Sequence, residues 1–115
     1  MSKRRTDRIN QSLKREISKI LLTDMNDIAV KFVTINRVEV SSDLHYAKVY
    51  LIPPGEGSDK NRIMRHIRQA SGFIRTRIAH SMDLRVTPEF HFIYDKAFED
   101  GMRVLKKIDE ISNQK

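Results

Sequence analysis

Apolar residues recur along this chain at two periods, and the change between them marks out its elements. Ile9, Leu13, Ile17, Ile20 and Leu21 are spaced by fours and threes, which predicts an amphipathic helix over residues 6–22, started by Thr6 and Asp7. Residues 23–29 have no period and mix Asp with Asn, as a connector does. From Phe32 to Val40 the period becomes two, but it slips. Val33 and Ile35 share one phase, Val38 and Val40 the other, with Asn36-Arg37 between them. A one-residue slip predicts a β-bulge and a bent strand. Ser41-Ser42-Asp43-Leu44 supplies turn chemistry, and alternation resumes from Tyr46 to Ile52. Ala47, Val49 and Leu51 take one face there and Tyr46, Lys48 and Tyr50 the other, so a hairpin with one covered face is expected.

Pro53-Pro54-Gly55-Glu56-Gly57-Ser58 reads as a loop. Its Gly55-x-Gly57 lacks the third glycine of a dinucleotide fingerprint, and the preceding Pro53-Pro54 spoils a strand-to-helix turn. Helical spacing returns over residues 60–80 with Ile63, Ile67, Ala70, Ile74 and Ile78. Gly72 interrupts this stripe, and a glycine inside a helix costs about 1 kcal/mol relative to alanine, so a kink or a junction of two helices at Ser71-Gly72 is predicted. A third strand, Glu89 to Tyr94, carries Phe90, Phe92 and Tyr94 in alternation. It follows a long helical crossover, which places it in the same sheet. The last stripe is Phe98, Met102, Leu105, Ile108 and Ile111, an amphipathic helix over 97–112 with Gly101 as a weak point. The order is α-β-β-α-(kink)-α-β-α, an α+β fold with helices packed on one face of a three-stranded sheet.

At 115 residues this is one domain spanning 1–115, with residues 1–5 expected to be a flexible basic arm. Charge changes the picture once it is divided along the chain. Residues 1–22 carry seven Lys/Arg against two acids, and so do residues 59–86. The remaining stretches are slightly acidic, so the net charge of +7 belongs wholly to two helical segments. Basic faces of that kind displace counterions from a polyphosphate backbone; a merely solvated basic surface is the plain alternative. On the first helix the basic face is Arg8, Lys14, Arg15 and Lys19; on the second, Arg62, Arg65, His66, Arg68, Arg75 and Arg77 lie around the isoleucine stripe.

Several chemistries find no residues. Without cysteine there is no disulfide, thiolate zinc site or thiol nucleophile, which fits a cytoplasmic location. No apolar run is long enough to span a bilayer. His45, His66, His80 and His91 are scattered without metal spacing, and no serine lies in a nucleophile elbow. A phosphate-cradling glycine–lysine–serine loop is also missing. No metal, cofactor or catalytic residue is expected, and the chain is read as a binding protein and not as an enzyme.

The element order is similar to the type II KH module, in which a GxxG turn between two helices clamps nucleotides. This chain has no GxxG; Ala70-Ser71-Gly72 occupies that interhelical place. Five blocks in order resemble ribosome-binding factor A. They are Arg15-Glu16-Ile17-Ser18 with Ile20-Leu21, Val33 to Ser41 with Asp43-Leu44 and Ala47 to Tyr50, Ala70 to Arg75, Leu84 to Phe90 with Phe92 and Asp95, and Glu99-Asp100-Gly101. The resemblance implies a KH-like fold with an Ala-x-Gly kink in place of GxxG. It also implies binding to the free 30S subunit and its 16S rRNA, a role in late maturation and 5′-end processing of that rRNA, and importance for growth in the cold. Two departures accompany it. Asn26-Asp27-Ile28 lacks a proline after the aspartate, and the chain stops at Lys115, so no tail-dependent role is expected.

The candidate RNA-binding residues are Lys3, Arg4, Arg5, Arg8, Arg62, Arg65, Arg68, Ser71, Gly72, Arg75, Arg77 and Arg85. Arginine pairs with phosphate bidentately, and a glycine without a side chain lets a phosphate backbone approach closely. The competing reading of Gly72 is a packing glycine where the helix crosses the sheet. Tyr46 and Tyr50 are left out, because strand aromatics more often pack beneath a helix. Expected partners are 16S rRNA in the free subunit and, secondarily, small-subunit ribosomal proteins, with the chain a monomer. A protein-binding adaptor built on the hairpin and last helix, a general KH-like RNA binder and a small RNA-processing enzyme are the rival readings.

Overall fold

The computed structural model describes residues 3–113. In chain order it contains α1 (Lys3–Thr23), a short 3₁₀ turn (Ile28–Phe32), β1 (Thr34–Val40), β2 (Tyr46–Ile52), α2 (Ser58–Gln69), α3 (Ser71–Ser81), β3 (Glu89–Tyr94) and α4 (Lys96–Asn113). Helix α1 starts a turn ahead of the expected Thr6. Lys and Arg are good helix formers and nothing between Lys3 and Thr6 breaks a helix, so α1 takes in residues 3–5 of the expected arm. The start of the arm, residues 1 and 2, lies outside the described residues. The connector after α1 likewise contains structure: Asp27 accepts a hydrogen bond from the Ala29 amide and starts the 3₁₀ turn, which delays β1 to Thr34.

The sheet order is β1-β2-β3. β1 and β2 form the antiparallel hairpin, with the register shift between Ile35 and Arg37 where the alternation slips. β3 returns parallel to β2, Tyr46 opposite Glu89 and Leu51 opposite Tyr94. Ile35, Val38, Ala47, Val49, Leu51, Phe90 and Phe92 turn to one face and are buried there. Against them pack Leu13, Ile17 and Leu21 of α1, Ile63 and Ile67 of α2, and Ile74 and Ile78 of α3, forming one core. The opposite face of the sheet carries Glu39, Lys48 and His91 in one row and Arg37 and Tyr50 in the next. No helix covers it, so Tyr46 is 54% exposed instead of packing beneath a helix.

Each outer strand of the sheet receives a side-chain hydrogen bond from the helical layer. On β1, Asn10 Oδ1 accepts the Val40 N–H at 2.9 Å. On β3, Arg68 Nε donates to the Phe92 carbonyl at 3.1 Å, and Arg75 donates to the Thr87 carbonyl just before the strand at 3.0 Å. Satisfied edge groups are poor templates for pairing with another chain.

Helix α4 departs from the packing of the others. None of its residues is buried, and Met102, Leu105, Ile108 and Ile111 present their apolar stripe to solvent. What holds it is its root: Lys60 of α2 and Tyr94 of β3 both donate to Glu99 Oε1, the tyrosine at 2.6 Å. Burial opposes the Glu99 charge, but Lys60 and Tyr94 outweigh it and keep this carboxyl below its ordinary value; the Lys60 ammonium is raised, chiefly by the Glu99 hydrogen bond. The radius of gyration, 15.9 Å, exceeds the roughly 13 Å expected of a compact chain of this length, as an outlying helix requires.

Candidate nucleic-acid interface

Helices α2 and α3 meet end to end through a single residue. Ala70 has φ −88° and ψ 6°, outside the helical region, and its amide is shared between the His66 and Ile67 carbonyls while its carbonyl accepts from Ile74. The break therefore falls at Ala70, and Ser71 and Gly72 form the first turn of α3. No side chain caps that turn and no acid lies in it, so its first backbone amides have no side-chain acceptor and no carboxylate offsets the positive end of the helix dipole. A Cβ built on Gly72 meets nothing within 4 Å. Packing does not require the glycine, and that reading fails; Gly72 sits on an exposed, convex junction.

The arginines around the junction are mostly committed to holding elements together. Arg62 reaches Asp27 at 3.1 Å, with His66 at 3.8 Å from the same carboxylate, tying α2 to the 3₁₀ turn. The Ala29 amide, then Arg62 and His66, hold the Asp27 carboxyl below its ordinary value against a smaller opposing effect of burial. Arg77 reaches Asp24 at 3.5 Å, tying α3 to the end of α1, and lies over the Phe73 ring. Arg68 and Arg75 are the two that donate to the Phe92 and Thr87 carbonyls. Arg65 and Arg85 are exposed and make no polar contact within the described residues.

The remaining candidates lie elsewhere, on α1. Arg4 and Arg8 line a shallow groove along its outer side together with Asp7, Gln11, Ser12 and Arg15. Arg5 is exposed on the same helix, and the side chain of Lys3 lies outside the described residues. Arg62 and Arg77 thus reach toward the end of α1 and the 3₁₀ turn, Arg68 and Arg75 toward β3, and Arg4 and Arg8 line a groove of their own on α1. Arg15, which lines this groove, is a residue that the candidate set lacked. Its signal was in the sequence, seven positions after Arg8 and therefore on the same helical face. The acids Asp24 and Asp27 had no such signal, since their arginine partners are distant along the chain.

The described residues contain no group of three His, Cys, Asp or Glu able to hold a metal ion. No helix among them is long and apolar enough to cross a membrane.

The family model for ribosome-binding factor A matches residues 5–108. The chain belongs to the ribosome-binding factor A family. Among relatives, the ribosome-binding factor A of Macrococcus caseolyticus is 36% identical over 111 residues, covering 96% of this chain and 97% of that protein. The solution structure of a Thermotoga maritima protein assigned to ribosome-binding factor A is 29% identical, with a TM-score of 0.71 over 83% of this chain and 91% of that one. A Thermus thermophilus ribosome-binding factor A, fitted into a cryo-EM map of a 30S complex, superposes with a TM-score of 0.59 at 21% identity over 76% of this chain and 91% of that one, a likeness of fold. The KH-like architecture expected from the element order is thus the architecture of the family. In this chain Ala70-Ser71-Gly72 stands at the α2–α3 junction, between the two helices.

Proposed function

We propose that this chain binds the free 30S subunit during its late maturation, contacting 16S rRNA through its basic helical surfaces, and that it does so without catalysis. The reading is carried by the α2–α3 junction. A KH module with GxxG has a tight loop that clamps single-stranded nucleotides. Here the two helices abut at Ala70, leaving no loop to close over a base but a bare Gly72 and an uncapped helix start at the surface. Such a junction suits the phosphate backbone of folded RNA, approached as a shape. The relatives named for ribosome binding, and the Thermus thermophilus protein fitted into a 30S map, support the same partner. Efficient 5′-end processing of 16S rRNA and growth in the cold are the cellular outcomes this role entails.

Sedimentation of cell extract tests it. The protein is expected to co-migrate with free small subunits at low salt and to leave them as salt rises; a protein that stays in the top fractions at low salt sinks the proposal. At the junction, Gly72→Glu places a carboxylate where phosphate is to approach and is expected to weaken subunit binding at least tenfold while the fold persists, because the position opens to solvent.

One observation favours a second reading, that of a protein-binding adaptor: the apolar stripe of α4 lies uncovered. On that reading charge reversal at Arg65, Arg68 and Arg75 leaves partner binding intact, whereas Leu105→Asp abolishes it.

A further inference from the structure

Resting on the ribosomal reading above, we propose that the outward ridge of α1, formed by Arg4, Arg8, Arg15 and Lys19, supplies the main phosphate contacts of this chain, ahead of the arginine-rich face of α2 and α3. The ligand is the sugar-phosphate backbone of folded RNA.

Two observations carry this. The first is the commitment of the α2–α3 arginines. Arg62, Arg68, Arg75 and Arg77 each hold a carboxylate or carbonyl of another element through one guanidinium nitrogen, so their remaining N–H donors can meet a phosphate only where those ties leave them. The second is the geometry of α1. Positions 4, 8, 15 and 19 are separated by four, seven and four residues, which at about 100° per residue puts all four within a sector of roughly 60°. That sector points away from Leu13, Ile17 and Ile20, which face the core. At about 1.5 Å per residue the ridge runs roughly 22 Å. Its cations are exposed, and among the described residues the polar contact their side chains make is a long one, Arg15 to Ser12 Oγ at 3.4 Å.

The ridge also has the texture of a backbone-binding surface. Gln11 and Ser12 lie between the cations, short and hydrogen-bonding, and no aromatic side chain lies there to stack on a base. Asp7 is the one carboxylate lining the groove at Arg4, Arg8 and Arg15, while Lys19 at the far end of the ridge lines a neighbouring groove with Glu16, Asp24 and Arg77. Contacts of this kind orient a protein on RNA without reading its sequence.

The test is the salt dependence of binding between full-length protein and purified free small subunits. Each phosphate contact contributes about 0.7–0.9 to the slope of log affinity against log salt. The variant carrying Arg4→Gln, Arg8→Gln, Arg15→Gln and Lys19→Gln is expected to keep its melting temperature, since glutamine is a good helix former and these side chains avoid the core. Its slope should be shallower by about 3 and its affinity near 100 mM salt at least about tenfold lower. The pair Arg65→Gln and Arg85→Gln should change the slope by less than about 1. A quadruple variant that is folded and keeps the wild-type slope overturns the proposal, as does a pair that takes most of the slope away. If the quadruple variant does not fold, Arg8→Gln and Arg15→Gln alone decide, each expected to remove about 0.7–0.9 of slope. Wild-type protein that does not bind small subunits at all would instead remove the ribosomal reading on which this one rests.

Discussion

Helices α1 and α4 are written in the same pattern and have opposite fates. Each carries an apolar stripe at spacings of three and four and a charged opposite face. Leu13 and Ile17 of α1 are fully buried, whereas Leu105 and Ile111 of α4 are 64% and 63% exposed. The difference lies in what the sheet offers. Its single apolar face, built on Val49, Leu51, Phe90 and Phe92, is already covered by α1, α2 and α3. The other face bears Lys48, Glu39, Arg37 and the tyrosines, which accept no apolar stripe without desolvating charge. An amphipathic pattern states that a helix has a face to bury; it does not state that the fold has a place for it.

The strongest way to break this contrast is truncation. Ile17→Ala or Leu13→Ala should lower unfolding free energy by about 2–5 kcal/mol in urea titrations, since a cavity opens in a packed core. Leu105→Ala, the same chemistry on α4, should change it by no more than about 0.5 kcal/mol. A comparable cost at both sites would show that α4 is buried in solution.

Next in size is the tether at the root of α4. Lys60→Met leaves the Glu99 carboxylate with Tyr94 and Arg103, in a site where the Lys60 and Glu99 side chains are only 11% and 17% exposed. A loss of about 1–3 kcal/mol is expected, read most directly as faster amide exchange in the first turns of α4 than in α1.

The same tether responds to pH. The folded Glu99 value lies below its ordinary 4.5, so its stabilisation is present above that value and fades as pH falls through the lowered one. Lys60 and Tyr94 are raised above 10.5 and 10.0, so their contributions hold below those values and are lost as pH rises through the raised ones. Protection of the α4 root should therefore be greatest between about pH 5 and 9, with an acid limb that Lys60→Met flattens. Acid loss of α4 protection that is identical in wild type and variant would count against the tether.

The smallest effect sharpens the contrast from the other side. Gly101 is exposed within α4 and a Cβ there meets nothing within 4 Å. Gly101→Ala should make α4 more helical by about 1 kcal/mol locally, seen as slower exchange within it, with the urea midpoint of the core unmoved.

Much of the fold was legible before any coordinates. The slip at Asn36 became the β-bulge because side chains in a strand alternate strictly, and a single extra residue must change their phase. The break in the Ile63–Ile78 stripe became the Ala70 junction, although it falls two residues before the glycine that signalled it. The site was read less completely. Charge counting found every arginine around α2 and α3 but not that Arg62, Arg68, Arg75 and Arg77 hold other elements, because their partners Asp27, Phe92, Thr87 and Asp24 are near them only once the chain is folded. The tyrosines of β2 were expected under a helix, and the crossover instead put all covering helices on the Ala47–Leu51 face.

By itself, then, the sequence determined the elements, their order and the family, since all of these follow from local periodicity or from residues compared in order. Tertiary structure decided which stripe finds a surface, which cations are left free, and whether Gly72 is packed or bare. Those outcomes depend on what lies across from each residue in space, and burial and pairing are properties of two surfaces that no single segment encodes.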